Sequence, residues 1–320
     1  MATRVIDDTK LQNIAVAIQG KDSGGTMTVD EMPTRIAAIQ TGDEVLFSSN
    51  GRQYTRTVEI PNGVTTLGDY AFQGCTSLTE ITFPDSLTTI NQNAFSGCTG
   101  LTNITLPDSL TTINSSAFSG CTGLTNITLP DSLTTINQNA FGDCSGLTEI
   151  DLNNVTTLNA KYHFLRCSSL RKAVGKKAVT VSNSSFYSCT SLKTAIFPVA
   201  TTISQNAFFV ANSLESVDCR NVGRIVSGAF GHCSRLNLID LTSRATPTTL
   251  DRIDAFDDTN NTWIAVVAND TIKSDFQNAT NWSTFASHFR TIAEVEAEVG
   301  MTYDEYYYQL FGEPRNEVTP

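Results

Sequence analysis

Residues 78–146 hold three nearly identical units in tandem: LTEITFPDSLTTINQNAFSGCTG (78–100), LTNITLPDSLTTINSSAFSGCTG (101–123) and LTNITLPDSLTTINQNAFGDCSG (124–146). A fixed period of this length constrains the fold more tightly than composition does. One unit carries too little apolar surface to close a core of its own, so successive units must stack and share one. The chain is therefore expected to be a solenoid.

The period continues outward through a phenylalanine column. Phe72, Phe95, Phe118, Phe141 and Phe164 keep the spacing of the tandem units, and Phe186, Phe208 and Phe230 follow at a step shorter by one. Phe256 comes after a longer step, which places an insertion in the last coil. Three positions behind each phenylalanine stand Cys75, Cys98, Cys121, Cys144, Cys167, Cys189 and Cys233, with Ala211 filling the remaining slot. A leucine column from Leu78 to Leu236 opens the coils. About nine coils are expected over roughly 55–262, drifting in sequence toward the C-terminal end.

Within a coil, Ile104 and Leu106 alternate with polar residues, the pattern of a short strand with one buried face. Pro107 cannot donate a ladder hydrogen bond and ends it. Asp108-Ser109 makes a turn, 110–113 reads as a second extended piece, and 114–121 as a turn of 3₁₀ or α-helix with Phe118 inward. Strands on successive coils should pair in parallel about 4.8 Å apart, giving a stack on the order of 40–45 Å long.

The steps L-T-x-I-x-L-P, T-T-I and A-F-x-G-C resemble the leucine-rich repeats of the BspA-like cell-surface-antigen class, over about two-thirds of the chain. The resemblance implies an α/β repeat solenoid, with short parallel strands and 3₁₀ or short helical turns. It also implies adhesion to a protein or a surface rather than a reaction.

Composition narrows the partners. The net charge of −11 argues against nucleic acid. The opening Met-Ala-Thr-Arg-Val-Ile-Asp-Asp is too polar to begin a secretory signal, and no stretch has the length of a membrane span. The chain is thus expected to fold in a cytoplasm, without membrane insertion. Its eight cysteines would there be thiols. The seven in the column read as small, buried and structural. Disulfides between coils are sterically conceivable, and a metal is disfavoured because no CxxC pair or histidine cluster accompanies them. No cofactor is expected.

Before the solenoid, residues 1–41 form a separate small unit, followed by a connector at 42–54. Leu11, Ile14 and Ile18 make one amphipathic stripe that closes at Gly20. Thr28 and Glu31 have capping-box spacing ahead of Met32, Ile36 and Ile39. Two such helices must dock on something, and a cap over the first coil is one reading. The run T-x-x-E-M-P-x-x-I-x-x-I also resembles a short module of bacteriophage tail-fibre and minor structural proteins. That resemblance implies attachment to other virion or tail proteins, and localisation in a virion assembled in the host cytoplasm.

Charge is segregated along the solenoid. Residues 152–214 contain no Asp or Glu but seven cations, Lys161, Arg166, Arg171, Lys172, Lys176, Lys177 and Lys193. They form a candidate binding face for an anionic bacterial surface polymer or an acidic protein receptor; a solvated face of degenerate repeats is the alternative. Thr102, Asn103, Thr105, Thr125, Asn126 and Thr128 make the outward side of the early coils neutral and hydroxyl-rich, suited to strand packing or to carbohydrate. Asp85, Asp108 and Asp131 stack but are explained by their Pro-Asp-Ser turns.

After the last coil, 263–290 reads as a cap, with a final strand around Trp263, Val266 and Val267 and a seal of Phe276, Trp282, Phe285 and Phe289. The tail 291–320 is acidic and aromatic. Thr302 and Glu305 have the spacing to cap a helix whose tyrosines pack on the solenoid or on another chain, including a second copy.

His163, His232 and His288 are scattered, and no GxSxG, Walker loop, Rossmann glycines or HExxH is found. A non-enzyme is expected. Three readings follow: a phage tail-associated structural or receptor-binding protein, a cellular BspA-like adhesin or interaction scaffold, and a polysaccharide-degrading tail enzyme.

Overall fold

An apolar residue between polar neighbours, isoleucine in the tandem coils (Ile81, Ile104 and Ile127), follows the opening leucine, and that alternation becomes the first of two short strands. The computed structural model describes residues 57–60, 62–156, 158 and 160–315, and divides the chain into units 1–147 and 148–320. Residues 1–41, including Leu11, Ile14, Ile18, Met32, Ile36 and Ile39, lie outside the described residues, as does the connector.

In the N-terminal unit the first row of strands is β1 (Thr57–Glu59), β3 (Glu80–Thr82), β5 (Asn103–Thr105) and β7 (Asn126–Thr128). The second row is β2 (Thr66–Leu67), β4 (Thr89–Ile90), β6 (Thr112–Ile113) and β8 (Thr135–Ile136). All pairing is parallel, and like position meets like: Ile104 opposes Ile127, while Leu67, Ile90, Ile113 and Ile136 form one row. Ile81, Ile104 and Ile127 are buried between exposed neighbours. The architecture is a parallel-strand β-solenoid.

The third side of the coils departs from expectation, except in the last, where Ile253–Phe256 forms the expected 3₁₀ turn. No 3₁₀ or α-helix forms over 114–121; the segment is a series of tight turns. Asn93, Ser116 and Asn139 take φ of 55–57°, and Gly97 and Gly120 take 74° and 72°. Two left-handed residues per coil stop helix propagation. They also turn every second N–H toward the next coil: Phe95 N donates to Ala117 O at 2.7 Å and Gly97 N to Ser119 O at 2.7 Å. The intervening amides close local turns, as in Ser96 N to Asn93 O at 3.1 Å. The segment behaves as a parallel ladder of turns.

Side chains repeat the logic. Phe72, Phe95, Phe118 and Phe141 stack with centroids 5.2–5.4 Å apart and planes within 6°. Asn114 donates to Asn91 and Asn137 to Asn114, each at 2.9 Å. The close approach of coils leaves no room for a Cβ at Gly123, where it would lie 2.3 Å from Thr99 O.

The C-terminal unit continues the scheme with a seven-stranded parallel sheet. It runs β9 (Glu149–Asp151), β10 (Lys172–Val174), β12 (Thr194–Ile196), β14 (Ser216–Asp218), β16 (Leu238–Asp240), β18 (Ile264–Val267) and β19 (Phe289–Thr291). The second row is β11 (Thr180–Val181), β13 (Thr202–Ile203), β15 (Arg224–Ile225) and β17 (Thr249–Leu250). The strand at 264–267 is not the last: after α1 (Asp270–Asn278) and a 3₁₀ segment (Trp282–His288), β19 adds to its edge. Phe276, Trp282 and Phe289 are buried there, and Trp282 Nε1 donates to Thr248 O at 2.6 Å. Two helices close the unit, α2 (Ile292–Val299) and α3 (Tyr303–Phe311), each begun by a complete Thr/Glu capping box.

Phe118→Ala should cost about 3–5 kcal/mol in denaturant unfolding, because the rings above and below cannot close the gap. Val210 carries a β-branched side chain at φ 62°, in a slot where Gly97 and Gly120 stand in earlier coils. Val210→Gly should therefore raise stability by about 1 kcal/mol, read as an increase in melting temperature.

Candidate interaction faces

Two strand faces carry homologous positions with opposite fates. In the N-terminal unit, Thr82, Thr105 and Thr128 are exposed, as are Glu80, Asn103 and Asn126. Glu80, Thr82, Asn103 and Thr105 line a shallow groove that Phe83, Asp85 and Pro107 complete, so two carboxylates, Glu80 and Asp85, border it. In the C-terminal unit the slot of those threonines holds exposed Asp151 on β9 and then Val174, Ile196, Asp218, Asp240 and Val266, all five buried. What covers them is the chain's own end: Val295 of α2 and Tyr303, Tyr307 and Phe311 of α3 pack on Val174, Ile196, Leu238 and Val266.

Two carboxylates beneath that cover have no access to water, so the cover must satisfy them. Arg220 Nε and Nη2 reach the two oxygens of Asp218 at 3.0 and 2.8 Å. Tyr307 donates its hydroxyl to Asp218 at 2.7 Å. Asp240 accepts from Thr242 N at 2.8 Å and has Arg315 Nε 3.8 Å away. Arg220 also donates to Arg315 O at 2.7 Å, and Arg315 to Thr242 Oγ1 at 2.6 Å. Arg220 lies 5.1 Å from the Tyr307 ring centroid and Arg315 4.9 Å from that of Tyr303.

Burial, then the neighbouring Asp218 charge, pushes Asp240 above the ordinary carboxylate range, against Thr242 and the two arginines. Burial opposes the Arg220 charge, yet the hydrogen bonds and charge of Asp218 hold its pKa above normal. Burial, then Asp218, raises the Tyr307 hydroxyl. This cluster was missed from sequence. Its signals were aspartate in a threonine slot, arginine two positions after Asp218, and Tyr303, Tyr307 and Phe311 at helical spacing.

The seven candidate cations do not share one surface. Lys172 is on β10, and Lys176 follows it in a turn. Both reach Glu313, at 3.0 and 2.8 Å, and so pin the residues after α3. Burial works against the Glu313 charge, but these lysines outweigh it and lower its pKa. Lys177 donates to Asn154 at 2.5 Å, Lys193 is 4.0 Å from Glu215, and Arg171 is exposed. Lys161 and Arg166 are exposed elsewhere, in the turn segment around Phe164.

All eight cysteines are thiols. Cys98, Cys121, Cys144, Cys189 and Cys233 each donate Sγ–H to the carbonyl of a phenylalanine in the preceding coil, at 2.9–3.2 Å. Burial raises all five, Cys144 to about 12. Cys219 is buried directly after β14. His163 is buried with Nδ1 3.2 Å from Ser185 Oγ. Asp85, Asp108 and Asp131 are exposed in turns. Among the described residues no group of three metal-ligating side chains converges, and no helix is long and apolar enough to cross a membrane.

In the folded protein a thiol reagent should modify half-exposed Cys75 first, while the five hydrogen-bonded thiols react only at the rate of unfolding, as mass spectrometry would resolve. Tyr307→Phe should cost about 1–2 kcal/mol and speed protease cleavage between 300 and 315. The same change at Tyr308, 58% exposed, should alter neither.

Among solved structures the chain is similar to a leucine-rich repeat protein of T. pallidum, at 28% identity over 57% of this chain and 80% of that one, TM-score 0.42. It is also similar to a leucine rich cell surface protein from Faecalibacterium prausnitzii A2-165, at 28% identity over 58% of this chain and 60% of that one, TM-score 0.39. For the pneumococcal vaccine antigen PcpA the figures are 18%, 79%, 82% and 0.42. No curated protein matches. The description "BspA type Leucine rich repeat region" matches in six copies over residues 47–171 and 160–281. That is well over half of the sequence, and the chain belongs to the BspA-type leucine-rich repeat family.

Proposed function

We propose that the chain is a non-catalytic interaction scaffold of the surface-adhesion type, contacting a protein partner through the open strand face of its N-terminal unit. The observation that carries this reading is the contrast between the two strand faces. The C-terminal unit buries its face under α2 and α3, whereas Thr82, Thr105 and Thr128 stand exposed in a regular array, with Glu80 and Asp85 at its edge. Such a surface is preorganised for recognition. The family match supports a scaffold.

A tail-associated role in a virion rests on the resemblance of Thr28, Glu31, Met32, Pro33, Ile36 and Ile39 to the phage module. It draws nothing further from the fold or the family match, so the cellular scaffold is carried forward.

Labelled protein incubated with a panel of intact bacterial cells and immobilised host surface proteins tests the proposal. Thr105→Glu should weaken the strongest interaction at least tenfold, while Thr122→Glu, exposed on another side of the coil, leaves it unchanged. Equal binding by the two variants would move the contact off the strand face. Turnover of a glycan in the same panel would replace the scaffold reading with an enzymatic one.

A further inference from the structure

The coils of the N-terminal unit are charged in one sense only. From Thr57 to Ala160 the sequence has no Lys, Arg or His. Its acidic residues up to Leu147 are Glu59, Glu80, Asp85, Asp108 and Asp131, with Asp69 and Asp143 in the turn segments. The first five gather on the strand side and are all exposed. Glu59 opposes Thr82 and so heads the row of Thr105 and Thr128, while Glu80 heads the row of Asn103 and Asn126. Asp85, Asp108 and Asp131 follow in the turns beside these rows, one per coil. Turn chemistry does not demand their charge, since Asn62 fills the same slot one coil earlier. The carboxylates thus line two borders of a neutral field of threonine and asparagine. Phe83 adds an apolar feature at the corner. Its slot holds buried Leu106 and Leu129 in the next coils, but Phe83 is half-buried, meets Phe95 edge-on at 5.9 Å and lines the groove with Glu80 and Asp85.

We infer that this strand face takes a cationic segment of its protein partner, one that sets Lys or Arg side chains among small polar residues. The inference rests on the scaffold reading above and names the chemistry of the partner. These coils supply no cation of their own against the carboxylates. Their field therefore draws in a segment of opposite charge, speeds its encounter and repels an anionic polymer. Phe83 beside Glu80 and Asp85 suits one long cationic side chain, whose methylene stem covers apolar surface while its head stays with a carboxylate. A guanidinium or ammonium over the exposed part of the ring gains a further attraction. Asn103, Thr105, Asn126 and Thr128, between the charged borders, offer amides and hydroxyls that both donate and accept, as the polar residues and backbone of such a segment require. Charge at the border and neutral hydrogen-bonding groups in the middle is also how protein interfaces are ordinarily arranged.

Fluorescence anisotropy of the full chain with three labelled decapeptides, alternating Lys-Thr, Glu-Thr or Ser-Thr, tests it at about 0.15 M salt, where charges more than about 8 Å apart are largely screened. Only the Lys-Thr peptide should bind. Glu80→Gln with Asp85→Asn should weaken it at least fivefold. Asp69→Asn with Asp143→Asn removes the same charge from the turn segments and should change it less than twofold. Both pairs keep the size and hydrogen-bonding shape of the originals, so matching melting temperatures confirm that only charge has changed. No binding of the Lys-Thr peptide, equal binding of the Ser-Thr peptide, or equal weakening by the two pairs would each overturn the proposal. The strongest interaction found on intact cells or surface proteins separates this inference from the reading beneath it. If Thr105→Glu weakens that interaction while Glu80→Gln with Asp85→Asn leaves it intact, the strand face binds a partner that is not cationic, and only the present inference falls. If neither change matters, the strand-face reading falls with it.

Discussion

Every coil must repeat the backbone path of its neighbour closely enough for each outward-pointing amide to find a carbonyl one coil away, and the rest of the structure depends on that requirement. Phe95 N to Ala117 O and Phe118 N to Ala140 O, at 2.7 and 2.8 Å, are the same bond made twice. Once the path is fixed, side chains in one slot fall on top of one another. Hence the phenylalanine stack, the asparagine ladder and the cysteines aimed at carbonyls of the preceding coil. In the tandem coils most backbone hydrogen bonds thus recur by translation from one coil to the next.

The same constraint frees the outside. Slots that face solvent can change without disturbing the core, and the two units have used this freedom differently. One keeps threonine and asparagine along its strand row; the other replaces them with valine, isoleucine and aspartate and lays α2 and α3 across. Asp218 and Asp240 are tolerated only because Arg220, Arg315, Thr242 and Tyr307 come with them. Burying a carboxylate without such partners is costly, and removing one partner leaves a charge stranded. The acid–arginine cluster therefore fixes where the end of the chain docks more than it adds net stability.

What the sequence disclosed follows from this division. The inward columns were legible because repetition makes them so: Phe118, Cys121, Leu124 and Ile127 could be placed by counting. The turn segment was misread as helical because its decisive feature is the left-handed backbone of Asn93, Ser116 and Asn139; asparagine favours that conformation, but serine in the same slot does not announce it. The role of Lys172 and Lys176 was hidden because their partner, Glu313, lies several coils further along the chain, beyond α3. Contacts between the solenoid and a non-repeating segment leave no period to count.

The docked end has a bearing on how such a chain can change length. Duplicating one of the coils between 78 and 146 would reproduce every bond already present and displace no side chain from its partner. A coil gained between β14 and β16 would instead pull Asp218 and Asp240 apart, and Tyr307 and Arg315 could no longer serve both. Unequal crossing-over in the gene can thus lengthen or shorten the first unit almost without penalty, while the second is held to a fixed number of turns by the helices that close it.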